Sequence, residues 1–172
     1  YAILKARPGE VKLANPQHDS VKNFWTVEPV ARNHKESFEL LKELAKAVEE
    51  RSIGTKEKSD FYLYMFDEID TTMSQHTTSA KYIKDSVKQV SHQNLGLVLI
   101  GQNANAKNYS GMDRSDFENL VNVHIGSNAN HAIENSHMDS ELQSELSKTA
   151  AKLTEFCESK NDELGLDKTD PK

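Results

Sequence analysis

The chain has 172 residues, 28% of them charged, and a formal net charge of −6. Its length suits one domain, and no stretch is apolar over the ~20 residues that a membrane-spanning helix needs. The acidic excess argues against a broad nucleic-acid-binding surface, which would carry many Lys and Arg residues. The single cysteine, Cys157, excludes a disulfide framework and a cysteine-rich zinc site, so we expect a reducing, cytoplasmic location.

The first part of the chain alternates short apolar runs with polar stretches. Residues 1–4 and 24–27 are apolar runs that predict short strands, and the polar, proline-containing stretch 7–22 between them carries no predicted element. Residues 33–36 (Asn-His-Lys-Glu) are typical of a helix start, because the acidic residue follows the cap by three positions. Apolar residues then recur at helical spacing, which predicts a helix that ends at Arg51.

The middle of the chain contains a continuous apolar run, Phe61–Phe66, that is too short for a buried helix. It suits a central strand that is covered on both faces. The other predicted elements are, in chain order, a helix with Tyr82 and Ile83, a strand over 97–100, a short helix over 113–120, a strand over 121–125, a helix over 129–136 and a solvated amphipathic helix that packs one stripe on the domain, with Leu142, Leu146, Ala150 and Leu153 on one face. Strands that alternate with helices predict an α/β fold, with a mainly parallel sheet flanked by helices.

The segment that indicates a function is the end of the strand Phe61–Phe66, where Asp67 and Glu68 follow directly. In an open parallel sheet, ligands bind beyond the carboxyl ends of the strands, so both carboxylates are expected where chemistry occurs. Asp67 is suited to hold a hydrated Mg²⁺ that bridges phosphate oxygens, and Glu68 is suited to polarise an attacking water. Acidic residues at strand ends also cap helices, so the pair alone leaves both interpretations open.

Gln102 favours the catalytic interpretation, because it follows the next predicted strand, 97–100. If the two strands are neighbours, its amide lies beside Glu68. There a neutral amide can contact the γ-phosphate of a nucleotide or orient water without repelling either. An ordinary polar loop residue is the alternative interpretation of Gln102.

The order of these motifs resembles that of the RecA-like motor domains of FtsK, HerA and the type IV secretion and conjugation ATPases. Residues 48–51 (Val-Glu-Glu-Arg) are similar to the end of the helix before the family's hydrolysis strand, and 61–70 are similar to the Walker B strand. Residues 87–103 resemble the helix, turn and strand that end in the family's Ala-Thr-Gln-Arg-Pro. Residues 111–136 follow the FtsK pattern further, so the resemblance covers roughly residues 33–136.

Three departures from the family pattern affect the predicted site. Asn103 and Ala104 stand where the family has Arg and Pro. The sequence contains no Gly-X-X-X-X-Gly-Lys-Ser/Thr loop, whose backbone amides bind phosphates, and we expect this loop upstream of residue 1. Leu120 and Ala132 replace the arginines near the family's third strand. Arg114 is therefore the nearby residue that could serve a neighbouring subunit as an arginine finger, and a surface role is its alternative.

The resemblance implies a partial RecA-like P-loop NTPase core over residues 1–136, with a C-terminal helix and tail over 137–172 packing on the same domain. It implies ATP and Mg²⁺ as cofactors, with Asp67 positioning the metal ion, Glu68 activating water and Gln102 sensing the γ-phosphate. It further implies that the intact protein hydrolyses ATP to move DNA, and that it assembles into an oligomer, by resemblance a hexamer. The 172 residues alone are expected to show no turnover.

Two other functions remain open from the sequence. An ATPase-like fold that has lost hydrolysis would serve as a scaffold or a DNA adaptor. A Mg²⁺-dependent nuclease would use Asp67, Glu68 and Asp70 as metal ligands. It would also need a lysine beyond an acidic residue on an adjacent strand, and none of the strands predicted from the sequence carries such a pair.

Overall fold

The computed structural model describes residues 9–19, 25–101, 109, 111–121, 123, 127–134 and 138–165. The elements in this part of the chain are, in order, strand β1 (Gly9–Ala14), helix α1 (His34–Ser52), strand β2 (Phe61–Phe66), helices α2 (Ile69–Gln75) and α3 (Ser79–Val87), a 3₁₀ turn (Val90–Gln93), strand β3 (Leu95–Leu99), a 3₁₀-helix (Arg114–Asn119), and helices α4 (Ser127–Glu134) and α5 (Ser140–Glu163). They form two compact units, divided between Val121 and Asn122.

The three strands of the first unit form a parallel sheet in the order β1-β2-β3. At the carboxyl end of β2, Phe66 lies opposite Ala14 of β1 on one side and opposite Leu99 of β3 on the other. The coarse prediction of an α/β fold with a parallel sheet and flanking helices is confirmed. The two apolar runs that the sequence predicted as buried strands are direct neighbours in the sheet, so their carboxyl ends meet at one edge.

Helix α1 begins at the residue pattern that predicted it. The side chain of Asn33 accepts a hydrogen bond of 2.9 Å from the backbone N–H of Glu36, and the Glu36 carboxylate accepts one of 2.7 Å from the backbone N–H of Arg32. An Asn cap of this kind typically stabilises a helix by about 1 kcal/mol. The leucines Leu41 and Leu44 of α1 are almost fully buried in the core that covers the sheet.

The last turn of α1 is fixed by Arg51, which is only 2% exposed. Its Nη1 donates hydrogen bonds to the backbone carbonyls of Asp60 (3.0 Å) and Gln93 (2.8 Å). Asp60 immediately precedes β2 and Gln93 lies just before β3. The guanidinium group therefore ties the end of the helix to the amino ends of two adjacent strands.

Two described elements lie where the sequence predicted none. Strand β1 lies inside the polar stretch 7–22, where the alternation of Val11 and Leu13 with polar residues was its signal. Helix α2 follows Glu68 directly, and its residues Ile69 and Met73 are fully buried. Burial of these two side chains stabilises a short helix that contains adjacent threonines, which are weak helix formers.

Two strand predictions are wrong for the residues that the structure describes. Residues 25–27 form no strand. The Trp25 indole turns toward Asp67, and Pro29, two residues after this segment, has no N–H to donate to a neighbouring strand. Val121 and Val123 lie outside any strand and are 94% and 79% exposed. The rest of 121–125 and the predicted strand 1–4 lie outside the described residues.

The second unit consists of α4 and α5. The Nε2 amide of Gln143 donates a 2.8 Å hydrogen bond to the backbone carbonyl of Ile133, which joins the two helices. None of the described side chains of α5 is buried, and Leu153 is 59% exposed. The packing of this helix on the domain stays a prediction. Neither α5 nor any other described helix is long and apolar enough to cross a membrane. The domain boundary predicted after residue 136 stays a prediction.

Candidate functional site

The carboxyl edge of the sheet remains hydrogen-bonded up to the predicted site. The backbone N–H of Asp67 donates to the carbonyl of Ala14 at 2.9 Å, and the N–H of Ile100 donates to the carbonyl of Phe66 at 2.8 Å. Asp67 therefore leaves the central strand from a backbone that is held on both sides. The position of the Asp67 Cα atom is therefore well defined, as a residue that binds a ligand requires.

The Asp67 carboxylate is half-buried and accepts hydrogen bonds from two donors in the described part of the chain. Its Oδ1 accepts a 3.0 Å hydrogen bond from the backbone N–H of Glu68, and its Oδ2 accepts one of 3.2 Å from the indole Nε1 of Trp25. Each carboxylate oxygen has two lone-pair directions, so each retains capacity for a metal ion or a metal-bound water. A hard oxygen donor of this kind fits Mg²⁺. Trp25 is a part of the site that the motif pattern did not identify.

Glu68 has a left-handed backbone conformation, with φ of 49° and ψ of 42°. The turn is held by a 3.0 Å hydrogen bond from the N–H of Ile69 to the carbonyl of Ile100, and by one of 3.1 Å from the N–H of Thr72 to the Glu68 carbonyl. A residue with a side chain loses about 1 kcal/mol in this conformation. Such strain is concentrated at functional sites, so the conformation favours a functional role for Glu68 over simple helix capping.

The other two predicted site residues are placed only in part. Gln102 lies outside the described residues, and its position beside Glu68 stays a prediction. The chain is described as far as Gly101, and Ile100 is bonded both to Phe66 and to the turn that carries Glu68. Arg114 is the first residue of the 3₁₀-helix, and its role as an arginine finger also stays a prediction.

The 3₁₀-helix that begins with Arg114 is fixed at its start. Asp113 and Asp116 form a reciprocal capping box, and the Lys84 Nζ of α3 lies 2.9 Å from the Asp116 carboxylate. The backbone N–H of Asp113, and secondly Lys84, lower the pKa of Asp116 below its ordinary value. This carboxylate is therefore charged at neutral pH, and its ion pair with Lys84 links the 3₁₀-helix to α3.

Tyr109 approaches the end of β3 closely. A Cβ atom added to Gly101 would lie 2.3 Å from the Tyr109 hydroxyl oxygen and 3.4 Å from the Asp70 carboxyl carbon. The Tyr109 ring meets Phe117 edge-on, with ring centres 5.2 Å apart. Burial, and secondly the charge of Asp70, raise the pKa of Tyr109, so its hydroxyl keeps its proton at neutral pH. The glycine thus makes room for a hydrogen-bond donor beside the strand end.

Replacing Gly101 with alanine is expected to destabilise the chain by about 1–3 kcal/mol, because the new methyl group overlaps the Tyr109 hydroxyl. Tyr109→Phe removes that oxygen and relieves the overlap. We therefore expect the double variant to lose at least 0.5 kcal/mol less than the sum of the two single losses, as measured by urea unfolding. Additive losses would mean that the Tyr109 side chain moves aside freely.

The described residues favour a site with few carboxylates over a three-carboxylate one. Among them, no group of three or more His, Cys, Asp or Glu side chains lies close enough together to hold a metal ion. The nuclease alternative requires such a group from Asp67, Glu68 and Asp70, and Asp70 is only 8% exposed. A Mg²⁺ ion that is shared with substrate phosphates needs only one or two carboxylates.

Two grooves on the described surface lie away from the carboxyl edge. One, of ≈ 400 Å³, is at the amino end of the sheet beside Gly9 and Phe61. The other, of ≈ 450 Å³, lies between α1 and α3 beside Lys46 and Tyr82. In an open parallel sheet ligands bind at the opposite end, so neither groove replaces the site at Asp67.

No protein-family model, curated protein or solved structure matches this chain.

Proposed function

We propose that this chain carries the hydrolysis strand of an ATP-driven DNA motor of the FtsK/HerA type, within a RecA-like P-loop core. The observation that supports this most is the position of Asp67 and Glu68, directly after the central strand of a parallel sheet. The left-handed backbone at Glu68 adds support, because a residue that only ends a strand has no need of it. The resemblance in motif order agrees with both.

Asp67 is the proposed magnesium ligand. Its carboxylate is oriented by the Trp25 indole and by the Glu68 amide, so little side-chain freedom is lost when it binds. When bound, Mg²⁺ neutralises charge on the phosphate oxygens of ATP. The carboxylate is half-buried, and partial exclusion of water strengthens its interaction with a cation.

Glu68 is the proposed general base. It stands one residue beyond the magnesium ligand, where it can accept a proton from a water that attacks the γ-phosphate. Gln102 is proposed to contact the γ-phosphate, and Arg114 to act in a neighbouring subunit. These two roles follow from the resemblance and from the neighbouring positions of β2 and β3.

DNA and further copies of the chain are the proposed partners, in an oligomer that is a hexamer by resemblance. With a net charge of −6, contact with DNA would have to be confined to small parts of each subunit. The exposed free thiol of Cys157 fits the proposed cytoplasmic location, because reducing conditions keep thiols free.

A hydrolysis-deficient scaffold is the second candidate function, and a Gly-rich loop with a lysine upstream of residue 1 would favour the motor over it. The strained Glu68 also favours the motor, since a scaffold gains nothing from holding a carboxylate at this strand end. A third candidate, the Mg²⁺-dependent nuclease, is supported least because its three carboxylates do not converge among the described residues.

The test is ATP hydrolysis by the intact protein that contains this chain, measured with Mg²⁺ in the presence and absence of duplex DNA. We expect turnover that DNA stimulates and that chelation of Mg²⁺ abolishes. Nucleotide binding without turnover would favour the scaffold. Cleavage of the DNA without ATP would favour the nuclease.

A further inference from the structure

Trp25 is the one tryptophan of the chain, and it contacts the proposed magnesium ligand. Its half-buried indole donates a 3.2 Å hydrogen bond from Nε1 to the Oδ2 atom of Asp67, across 42 positions of sequence. The donor to the other carboxylate oxygen is the backbone N–H of Glu68, which any residue except proline supplies. Of these two hydrogen bonds, only the one from the indole depends on the type of side chain.

The segment that carries the indole is attached to the outer side of β1. The backbone N–H of Val30 donates a 2.9 Å hydrogen bond to the carbonyl of Leu13. Ala31 forms a parallel bridge with Ala14, the last residue of β1. The carbonyl of Ala14 also accepts the backbone N–H of Asp67 at 2.9 Å. Both partners of the contact between indole and carboxylate therefore lie on segments that are attached to the end of β1.

An indole is well suited to orient a carboxylate that binds a metal ion. Its N–H group is a donor only, so the indole does not compete with the carboxylate for the cation. It is also neutral, so the carboxylate keeps the negative charge that attracts Mg²⁺, whereas a lysine or arginine in its place would neutralise that charge. Carboxylates that bind metal ions are generally held by hydrogen bonds of this kind, and their loss typically lowers metal affinity roughly 10- to 100-fold.

We propose that Trp25 is a positioning residue of the magnesium site, and that its N–H group sets the affinity of Asp67 for the ion. This role rests on the proposed function, in which Asp67 holds Mg²⁺. Without the indole, the carboxylate has more orientations to lose when the ion binds, and the affinity falls for that reason. Trp25 acts on metal binding through Asp67 and contacts neither the phosphate nor the attacking water.

The alternative role of Trp25 is packing alone, in which its N–H group takes the nearest acceptor. Tryptophan usually finds a hydrogen-bond partner where it is buried. The location of the acceptor favours positioning, because Asp67 follows the carboxyl end of the central strand, where ligands bind in an open parallel sheet. The two roles also differ in what a variant loses: packing affects the free energy of unfolding, and positioning affects the affinity for the metal ion.

The test is the affinity of the 172-residue chain for Mn²⁺, which accepts the same octahedral set of oxygen ligands as Mg²⁺. The electron paramagnetic resonance signal of free Mn²⁺ measures the bound fraction. Asp67→Asn keeps an oxygen acceptor for the indole but loses the charge, so the binding that disappears in this variant defines the site. We expect Trp25→Phe to raise the dissociation constant of that site about tenfold. The matched control is Tyr82→Phe, which removes the hydroxyl of another half-buried aromatic ring, in the groove between α1 and α3, and should leave Mn²⁺ binding unchanged.

Tryptophan fluorescence gives a second readout, because Trp25 is the only residue of its type in the chain. Paramagnetic Mn²⁺ at Asp67 should quench the emission of the indole with the same dissociation constant. Mg²⁺, which is not paramagnetic, should reverse the quenching by displacing Mn²⁺. Mn²⁺ binding without quenching would mean that the ion lies away from Trp25 and would overturn the proposal.

Two further results separate this role from the proposed function itself. An unchanged Mn²⁺ affinity in Trp25→Phe, with or without a lower free energy of unfolding in urea, would overturn the positioning role and leave Asp67 as the metal ligand. Equal Mn²⁺ binding by the unchanged chain and by Asp67→Asn would remove Asp67 as the ligand, and this proposal with it. If Trp25→Phe does not fold, benzothienylalanine at position 25 decides the outcome, because it keeps the double ring and has sulfur in place of the N–H group.

Discussion

Replacing Arg51 with methionine is expected to lower the free energy of unfolding by about 3 kcal/mol, measured by urea denaturation. Arg51 is almost fully buried, and its Nη1 donates to the backbone carbonyls of Asp60 and Gln93. Methionine fills a similar volume but donates no hydrogen bond, so these carbonyls lose their donor where water has little access. The guanidinium group also stacks over the Tyr62 ring at 5.5 Å, a contact that methionine replaces only in part.

Two control variants separate this effect from a general loss of charge on α1. Arg51→Lys keeps the charge, but its shorter side chain carries a compact, strongly hydrated ammonium group in place of the planar guanidinium over Tyr62, so we expect an intermediate loss. Lys46→Met changes a side chain of the same helix that is 73% exposed, and its effect should stay within about 0.5 kcal/mol. Equal losses for Arg51→Met and Lys46→Met would contradict the proposed tie between α1 and the strands.

The position of Arg51 also bears on the site. It contacts the amino ends of β2 and β3, whereas Asp67 follows the carboxyl end of β2. The six residues of β2 separate the two ends by about 20 Å. Arg51 therefore acts on stability and on the spacing of the strands, and a ligand at Asp67 lies beyond its reach.

The sequence was most informative where several local signals agreed. The Asn33 cap and the recurring leucines both predicted α1, and the apolar runs at β2 and β3 left no competing helical pattern. Their neighbouring positions bring their carboxyl ends to one edge of the sheet, where ligands bind in open parallel sheets. Asp67 and Glu68 could therefore be placed at that edge from the sequence alone.

The features that the sequence did not predict depend on contacts between distant segments. Helix α2 is held by the burial of Ile69 and Met73, although its local sequence is a weak helix former. Trp25 reaches Asp67 across 42 positions of sequence, and no local pattern indicates such a pairing. The left-handed conformation of Glu68 depends on hydrogen bonds from the turn to β3, which no residue preference of glutamate predicts.

Glu68→Gln is expected to lower the rate of ATP turnover by the intact protein at least 10²-fold, the usual contribution of a general base. Glutamine keeps the size of the side chain and the backbone strain but cannot accept the proton. Nucleotide binding and the free energy of unfolding should therefore remain close to their original values. Steady-state ATPase rates, with nucleotide affinity measured in parallel, separate a lost base from a lost binding site.

Glu57→Gln is the matched control, because Glu57 is an exposed carboxylate in the segment before β2, away from the carboxyl edge. Its turnover should equal that of the unchanged protein. Full turnover in Glu68→Gln would remove Glu68 as the base and leave only Asp67 of the acidic pair with a proposed role. An equal loss in both variants would mean that the assay reports net charge, and not the chemistry at the end of β2.

Glu68→Asn tests whether the strained backbone is retained for catalysis. Asparagine tolerates the left-handed conformation better than glutamate, so this variant should unfold with a free energy higher by a few tenths to about 1 kcal/mol. It also lacks the carboxylate, so turnover should fall as in Glu68→Gln. A gain in stability combined with a loss of turnover is the result expected where a protein keeps an unfavourable conformation for its function. Lower stability in Glu68→Asn would instead mean that the glutamate side chain itself stabilises the turn.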